Sequence, residues 1–436
     1  MYAKTTMFRR LGLWVSVLLA LTAWLSTSGG TLAVLALLGA LFYLLGQSGF
    51  RRDPAVITVI VWAVYVMART VYPDPSEQDT LTDRWLDAAN WWQLAAFLPV
   101  AWFVRGQTRH IHLILLTALA GLMLGLLFKS HWPEILKGHW HDRTGFHLSI
   151  AYSGFIHSIA ILGLIVFAPR LFRTPGRWLR LGWAVLLVVS TLAVLVSQSR
   201  QTWLMDIVLI PMAVITVFVL NLRTQTEPQL QRLWPFLLAG VLILTVTGLN
   251  HKLITKRVHE EKTAISSIIA HEQAEQLPRT SLGYRYNVMV FGYEKWLEKP
   301  WMGWGTGSSK YFIEHSGNPL LIYQEPGKPT IWLRHFHNLY LEVLIRFGIV
   351  GMACGGVIAF LMVNALFRSY RSGSLPADYL VFFLGSFAMM ALYSLFGFPL
   401  LHPDGRSFLI LFAGLAYSFN TFTHAHEHRT VSAHLR

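Results

Sequence analysis

Four residues in this sequence have the chemistry to handle a diphosphate: Arg143, Arg200, Arg285 and His337. A guanidinium presents a planar fork of N–H donors that grips phosphate oxygens in pairs, and it offsets the charge that grows on a phosphate leaving group. A neutral imidazole is the complementary part, a base that accepts a proton near pH 7. Each position also has a plainer use. Arg200, in the short turn Ser197-Gln198-Ser199-Arg200-Gln201, can snorkel to lipid headgroups; Arg143 can pair with Asp142; Arg285 can be a solvated charge; His337 can bond loop backbone. His337 precedes Asn338, a good N-cap, which sets the imidazole at the mouth of a helix whose dipole disfavours the protonated ring. The reaction this set suits is transfer of a group from a lipid diphosphate to a hydroxyl. His335-x-His337 by itself makes a weak metal site, with two ligands and no assigned third.

The elements that position these residues follow from composition. Of 436 residues, 54% are hydrophobic and 13% charged, with a mean hydropathy of +0.46; an ordinary soluble domain has roughly 25% charged. A water-soluble globule is excluded. The net charge of +14, from 36 Lys and Arg against 22 Asp and Glu, in so apolar a chain marks loops lying on anionic lipid and not a nucleic-acid groove. The single cysteine, Cys354, lies in the apolar run 350–362 and reads as a small core residue.

A helix needs about 20 apolar residues to cross a hydrocarbon layer of about 30 Å. Such runs fall at 11–28, 31–48, 55–72, 88–104, 110–128, 149–169, 179–197, 203–221, 233–249, 338–366, 378–396 and 407–423, which predicts an all-α integral membrane protein with about twelve transmembrane helices. Positive loops stay cytoplasmic. Lys4, Arg9 and Arg10, then Arg51/Arg52, Arg105/Arg109, the cluster Arg170 to Arg180, Arg223/Arg232, Arg368/Arg371 and finally Arg429 and Arg436 alternate onto one side. Both termini are then cytoplasmic. The acidic loop Asp74 to Asp87, the loop 129–148, the turns at Arg200 and at Asp404/Arg406, and one long segment fall outside. The expected organisation is helices 1–9 over 1–249, a large outer loop over 250–336, helices 10–12 over 337–423, and a cytoplasmic tail over 424–436. Within the loop, Ile265, Ile268 and Ile269 against Glu260, Glu261, Glu272 and Glu275 predict an amphipathic helix ended by Pro278. A second helix is predicted over Ser281–Lys295, then the turn Gly303-Trp304-Gly305-Thr306-Gly307 and the link Glu325-Pro326-Gly327-Lys328-Pro329.

Several of these segments are similar to motifs of one family. His337-Asn338-Leu339-Tyr340-Leu341 with Gly348-Ile349-Val350-Gly351 resembles the H-[NS]-x-x-L…G-x-x-G signature of the O-antigen ligase and polymerase superfamily. Arg285 followed by Trp296, Pro300 and Gly303-x-Gly305-x-Gly307 resembles its R…P-x-x-G-x-G stretch, Ser199-Arg200 its S-R turn, and Arg143-Thr144-Gly145-Phe146 its R-x-G-x-F segment. The last continues as His147-Leu148-Ser149, without the Asn-Pro pair of many relatives. The resemblance covers about residues 140–360. One long outer loop before the tenth of twelve spans resembles the lipopolysaccharide O-antigen ligase family more than the polymerases, which more often carry two such loops.

The resemblance implies a GT-C-like glycosyltransferase architecture in a Gram-negative inner membrane, with a periplasmic active site. The implied donor is undecaprenyl-diphosphate-linked O-antigen, its diphosphate held by Arg200 and Arg285 with Arg143 as an additional candidate. The implied acceptor is a sugar hydroxyl of lipid A-core oligosaccharide, with His337 as general base, inversion at the anomeric carbon, and no cofactor or metal. Asn338, His335 and Arg334 are the expected substrate-binding neighbours, with Lys310 near enough in sequence to suspect. The rivals are an O-antigen polymerase and a transporter of lipid-linked sugar. The sequence leaves oligomeric state open.

Overall fold

A computed structural model describes residues 2–72, 81–133, 143–222, 229–270, 281–323, 331–332 and 334–420. Nearly all are helical. In chain order come α1 (Tyr2–Thr22), α2 (Thr27–Leu45), α3 (Ser48–Arg51), α4 (Pro54–Val71), α5 (Leu81–Trp92), α6 (Phe97–Val104), α7 (Thr108–Lys129), α8 (Ile150–Val166), α9 (Ala168–Phe172), α10 (Arg177–Ser197), α11 (Arg200–Leu222), α12 (Gln229–Leu249), α13 (His251–Ala270), α14 (Ser281–Glu298) and α15 (Ser308–Glu314). Next, β1 (Ile322–Tyr323) and β2 (Ile331–Trp332) pair antiparallel, Ile322 opposite Trp332, a small departure from the purely helical expectation. α16 (Leu339–Arg371), α17 (Ala377–Ser394) and α18 (Pro403–Tyr417) complete the described chain. The positions Asp74, Glu77, Asp79, Asp142, Glu272, Glu275 and Pro278, the link 325–329 and the histidines of the tail lie outside the described residues.

Among the described residues seven helices are long and apolar enough to cross a membrane: α2, α4, α7, α10, α11, α16 and α17. An eighth candidate is α12 with the start of α13, bent by 65°. The chain is a multi-pass membrane protein by this measure. Other apolar segments of the sequence are helical but shorter or interrupted. Segment 149–169 becomes the 17-residue α8, and 407–423 begins within the 15-residue α18. Segment 88–104 is divided into α5, a 3₁₀ turn at Gln93–Ala96, and α6. Pro99 lacks an N–H and crowds the residue before it, which favours such a break.

The chain folds as two compact units. One comprises Met1–Gly121, Ala264–Ser369 and Ser394–Arg436; the other comprises Leu122–Thr263 and Tyr370–Tyr393. In the first, Trp62, Val66, Ala88, Trp91, Phe347, Phe398 and Leu400 form one buried cluster, and Val288, Trp304, Ile313, Leu321, Phe336, Leu341 and Ile345 another. α16 enters both. Phe347 meets the rings of Trp62 and Trp91 edge-on at centroid separations of 4.8 and 5.2 Å, contacts worth about 1 kcal/mol each beyond burial.

α16 is broken at Gly348, whose φ of 62° and ψ of −164° no other residue type adopts readily. The break would orphan backbone groups, and a protein loop takes them up. Ile345 O accepts from Trp304 N at 2.7 Å and Arg346 O from Gly305 N at 2.9 Å. Phe347 O accepts from the Tyr65 hydroxyl at 2.8 Å. On the other side, Ile349 N donates to Pro300 O at 2.9 Å and Val350 N to Trp301 O at 3.1 Å. Residues 300–305 thus substitute for a missing helical turn, as backbone irregularity in a membrane protein requires.

In the second unit, α8 runs along α10 and α11. The Ser158 hydroxyl donates to Asp206 Oδ2 at 2.9 Å, and Trp183 Nε1 donates to Leu164 O at 2.8 Å. Gly154 leaves room for this approach, because a Cβ there would stand 2.7 Å from Ser197 Oγ.

A Cβ at Gly348 would lie 2.2 Å from Trp301 O, whereas one at Gly356 of the same helix meets nothing within 4 Å. Gly348→Ala is expected to lower stability by roughly 2 kcal/mol or more, through strain and displacement of the 300–305 loop, while Gly356→Ala leaves it unchanged or raised. Thermal unfolding of both variants in detergent checks the contrast.

Candidate functional site

Phe336, fully buried, anchors the loop that carries His335 and His337. It presses on α14 at Gly292, where a Cβ would come within 2.5 Å of the ring. Gly292 lies seven residues after Arg285, two turns along the same face of α14. Docking the loop at Gly292 therefore brings Arg285 and the two histidines into one electrostatic environment. His337 adopts a left-handed backbone, φ 52°, rare for a residue with a Cβ and a kind of strain that collects at functional sites. Its ring stands 4.1 Å from that of His335, centroid to centroid.

Both imidazoles are held neutral. Burial pushes His337 down to about 4, and the positive charge of Arg285 adds to the shift. His335 is also held well below the usual imidazole range, by burial first and then by electrostatic repulsion within the group it forms with His337, His402, Arg346 and Arg285. Its Nδ1 is buried and has no hydrogen-bond partner among the described residues.

Asn338 caps α16: its Oδ1 accepts from Leu341 N at 3.0 Å, and its Nδ2 donates to Leu395 O at 3.1 Å. The capping expectation holds, and it occupies both ends of the amide that the sequence assigns to substrate. Arg334 is exposed. Lys310 is ion-paired with Asp83 at 2.9 Å, so the Asp83 carboxylate is already a partner for the amine suspected of touching acceptor.

The strained loop is fixed by a buried charge network that motif reading passes over. Glu342 is fully buried and Arg346 is 4% exposed. The Glu342 carboxylate accepts from Phe336 N on one oxygen and from Arg346 Nη1 on the other. Arg346 Nε donates to Asp87 Oδ2 at 2.6 Å and its Nη1 to Ser309 Oγ at 2.6 Å. The same Asp87 oxygen accepts from Gly307 N at 2.9 Å, and Arg69 Nη2 donates to Gly303 O at 2.7 Å. The signal in the sequence was Glu342 and Arg346 at i and i+4 within an apolar run, where charges are costly unless paired.

The second unit brings Arg143 to the turn that carries Arg200. Arg143 Nε donates to Ser197 O at 3.0 Å and Thr144 N to Val196 O at 3.3 Å, so this segment satisfies carbonyls left open at the C-terminus of α10. Gln198 takes a left-handed φ of 47° and reverses the chain. Arg200 then opens α11. Structure therefore ties together two motifs 57 positions apart in sequence.

The fold and these residues define a class: a multi-pass helical membrane protein with a discontinuous helix whose mouth holds a neutral histidine beside an arginine. Residues 185–355 match the family model described as O-antigen ligase. The match supports membership of the O-antigen ligase/polymerase superfamily, with ligase- or polymerase-type activity. It takes in Arg200, Arg285, Arg334, His335, His337, Asn338 and the break at Gly348, while Arg143 precedes it. No curated protein matches the chain.

Removing Glu342 would leave Arg346 short of a partner and Phe336 N unpaired. Glu342→Ala is expected to cost about 3–5 kcal/mol, against about 1 kcal/mol or less for Lys310→Ala in its half-exposed pair. Denaturation in mixed micelles, read by tryptophan fluorescence, distinguishes the two.

Proposed function

We propose that this protein is an O-antigen ligase of the Gram-negative inner membrane. It transfers O-antigen polysaccharide from undecaprenyl diphosphate to a sugar hydroxyl of lipid A-core oligosaccharide on the periplasmic face. The observation that carries the reading is the neutral His337 beside Arg285 at the head of a broken helix, inside the segment that matches the O-antigen ligase family. In this proposal Arg200 and Arg285 bind the diphosphate and Arg143 supports the Arg200 turn. His337 takes the proton of the acceptor hydroxyl as its oxygen attacks the anomeric carbon, and the diphosphate leaves from the opposite side with its charge on the arginines, inverting the centre. Arginines supply the charge that a divalent cation supplies in other transferases, so the proposed reaction runs without one. The segment 250–336 and His337 are assigned to the periplasmic side and both termini to the cytoplasm, as the distribution of Lys and Arg favours.

The test is reconstitution with diphosphate-linked polyprenyl glycan and lipid A-core, in EDTA, with products separated by size and by lipid. Glycan on lipid A-core is the expected product, lost at least about a hundredfold in His337→Ala and strongly reduced in Arg200→Lys, which keeps the charge but not the fork. Lengthened glycan on the polyprenyl carrier would instead show a polymerase.

The protonation of His337 gives a second check. A histidine pushed down to about 4 is neutral throughout pH 5–8, so the acidic limb of kcat/KM, which reports the free enzyme, is expected near pH 4 and not near 6.5. Loss of the neighbouring positive charge in Arg285→Gln raises the value. Modification of His337 by diethyl pyrocarbonate, which attacks the neutral ring, would then fall off at a higher pH in the variant; an unmoved profile rejects the coupling.

A further inference from the structure

α14 packs one side on the Phe336 loop and leaves an apolar stripe uncovered on another. At 100° per residue, Tyr286, Val290, Tyr293 and Leu297 fall within an arc of about 60°, and all four are exposed. Glu294 and Glu298, also exposed, lie on one flank, where Lys295 Nζ meets Glu298 Oε1 at 2.8 Å. The stripe itself carries no charged side chain. A contiguous apolar face of this kind, rimmed by charge, marks a surface that something covers.

What covers it follows from where α14 leads. Just past its end, Pro300 O and Trp301 O accept from Ile349 N and Val350 N, immediately beyond the break in α16, and Met302 O accepts from the Tyr65 hydroxyl at 3.0 Å. From there on α16 exposes Val350, Val357, Phe360 and Phe367, the face that a membrane-spanning helix turns to lipid. Between Ile349 and the exposed Arg368 the helix rises about 28 Å, close to the hydrocarbon thickness of about 30 Å. With Arg368 at one headgroup layer, Ile349 stands at the other, and the backbone bonds hold Trp301, 67% exposed, at that same level. An indole prefers this boundary, where its ring is apolar and its N–H is wet. Leu297 lies four residues before Trp301, so the stripe of α14 runs into the lipid-facing surface of α16. Its mixture of tyrosine with Val and Leu, flanked by acids, is the composition of a helix that lies in an interface.

We propose that α14 lies in the headgroup layer of the leaflet at the His337 end of α16, with Tyr286, Val290, Tyr293 and Leu297 against lipid and Trp301 anchoring its C-terminal end. The inference rests on α16 as a membrane span and not on the proposed reaction. The full-length wild-type protein in phosphatidylcholine nanodiscs is photolabelled from a phosphatidylcholine that carries a diazirine high on one acyl chain, and the modified residues are located by mass spectrometry. Label is expected on residues 286–302 as well as on 349–367; label on 349–367 with none on 286–302 overturns the proposal, and this arm needs no substitution. In a second arm, spin labels are placed on single cysteines in a Cys354→Ala background, at Tyr293→Cys, Leu297→Cys and, on the flank, Glu298→Cys. The ratio of oxygen to nickel-chelate accessibility in nanodiscs is expected to be at least about threefold higher at 293 and 297 than at 298. Equal ratios would put the stripe in water and overturn the proposal. Low accessibility to both reagents at 293 and 297 would overturn it too, since the stripe would then be covered by protein, as in contact with a second copy of the chain.

Discussion

The exchange of backbone hydrogen bonds across the break at Gly348 is the constraint on which the rest of the first unit depends. A continuous helix would pair Ile345, Arg346 and Phe347 carbonyls with the N–H groups one turn on. Here Trp304 N, Gly305 N and the Tyr65 hydroxyl occupy those carbonyls, and Pro300 and Trp301 take the N–H groups of Ile349 and Val350. In apolar surroundings an unmet backbone group costs several kcal/mol, so neither the helix nor the loop has an independent conformation. The spacing of the loop glycines follows. Gly303 lies against the backbone of Arg346 and Phe347, where its Cβ would be 2.5 Å from Phe347 N, and Gly305 must approach near enough to donate to Arg346 O.

The buried charges extend that constraint to the site. Two carboxylates, Glu342 and Asp87, face the single guanidinium of Arg346, and each also accepts a backbone N–H from a different loop: Phe336 N for Glu342 and Gly307 N for Asp87. Buried ion pairs of this kind add little stability over an apolar replacement, but they are costly to break on one side. Their use here is registry. Glu342 fixes the residue immediately before His337, and Asn338 fixes the residue immediately after it through its cap of α16. The left-handed backbone at His337 is over-determined from both sides, which is the condition under which such strain persists.

Much of this was legible in the sequence, and the remainder was hidden for identifiable reasons. Hydropathy marks the apolar segments because burial in lipid selects for them, and Asn338 as a cap follows from its side-chain chemistry. The helix of 281–298 was visible in its periodicity. Periodicity does not report where a helix breaks when a loop from elsewhere completes it, so α16 reads as one span. Nor does sequence distance report pairing: Asp83 and Asp87 read as an acidic outer loop, but they lie one turn apart on α5 and hold Lys310 and Arg346. Arg143 reads as a neighbour of Asp142, which lies outside the described residues; its guanidinium also bonds Ser197 O, a contact that only the fold of α8 against α10 creates.

The low basicity of His337 has a consequence for how a base at this position would work. An imidazole pushed down to about 4 is neutral and ready to accept a proton, but it binds one weakly. Burial accounts for most of that shift and Arg285 for the rest. A polyanionic diphosphate at Arg285 would cancel the arginine's field on the ring and add an attractive field of its own, raising the basicity of His337 only while donor is bound. Donor binding and proton acceptance would then be coupled through one guanidinium. A free enzyme with a weakly basic histidine would gain little from deprotonating water, whereas the loaded enzyme would have a competent base opposite a leaving group already neutralised. The same arginine would thus select for the lipid diphosphate and time the base, and this coupling requires only that the charge of Arg285 be felt at His337, as it is here.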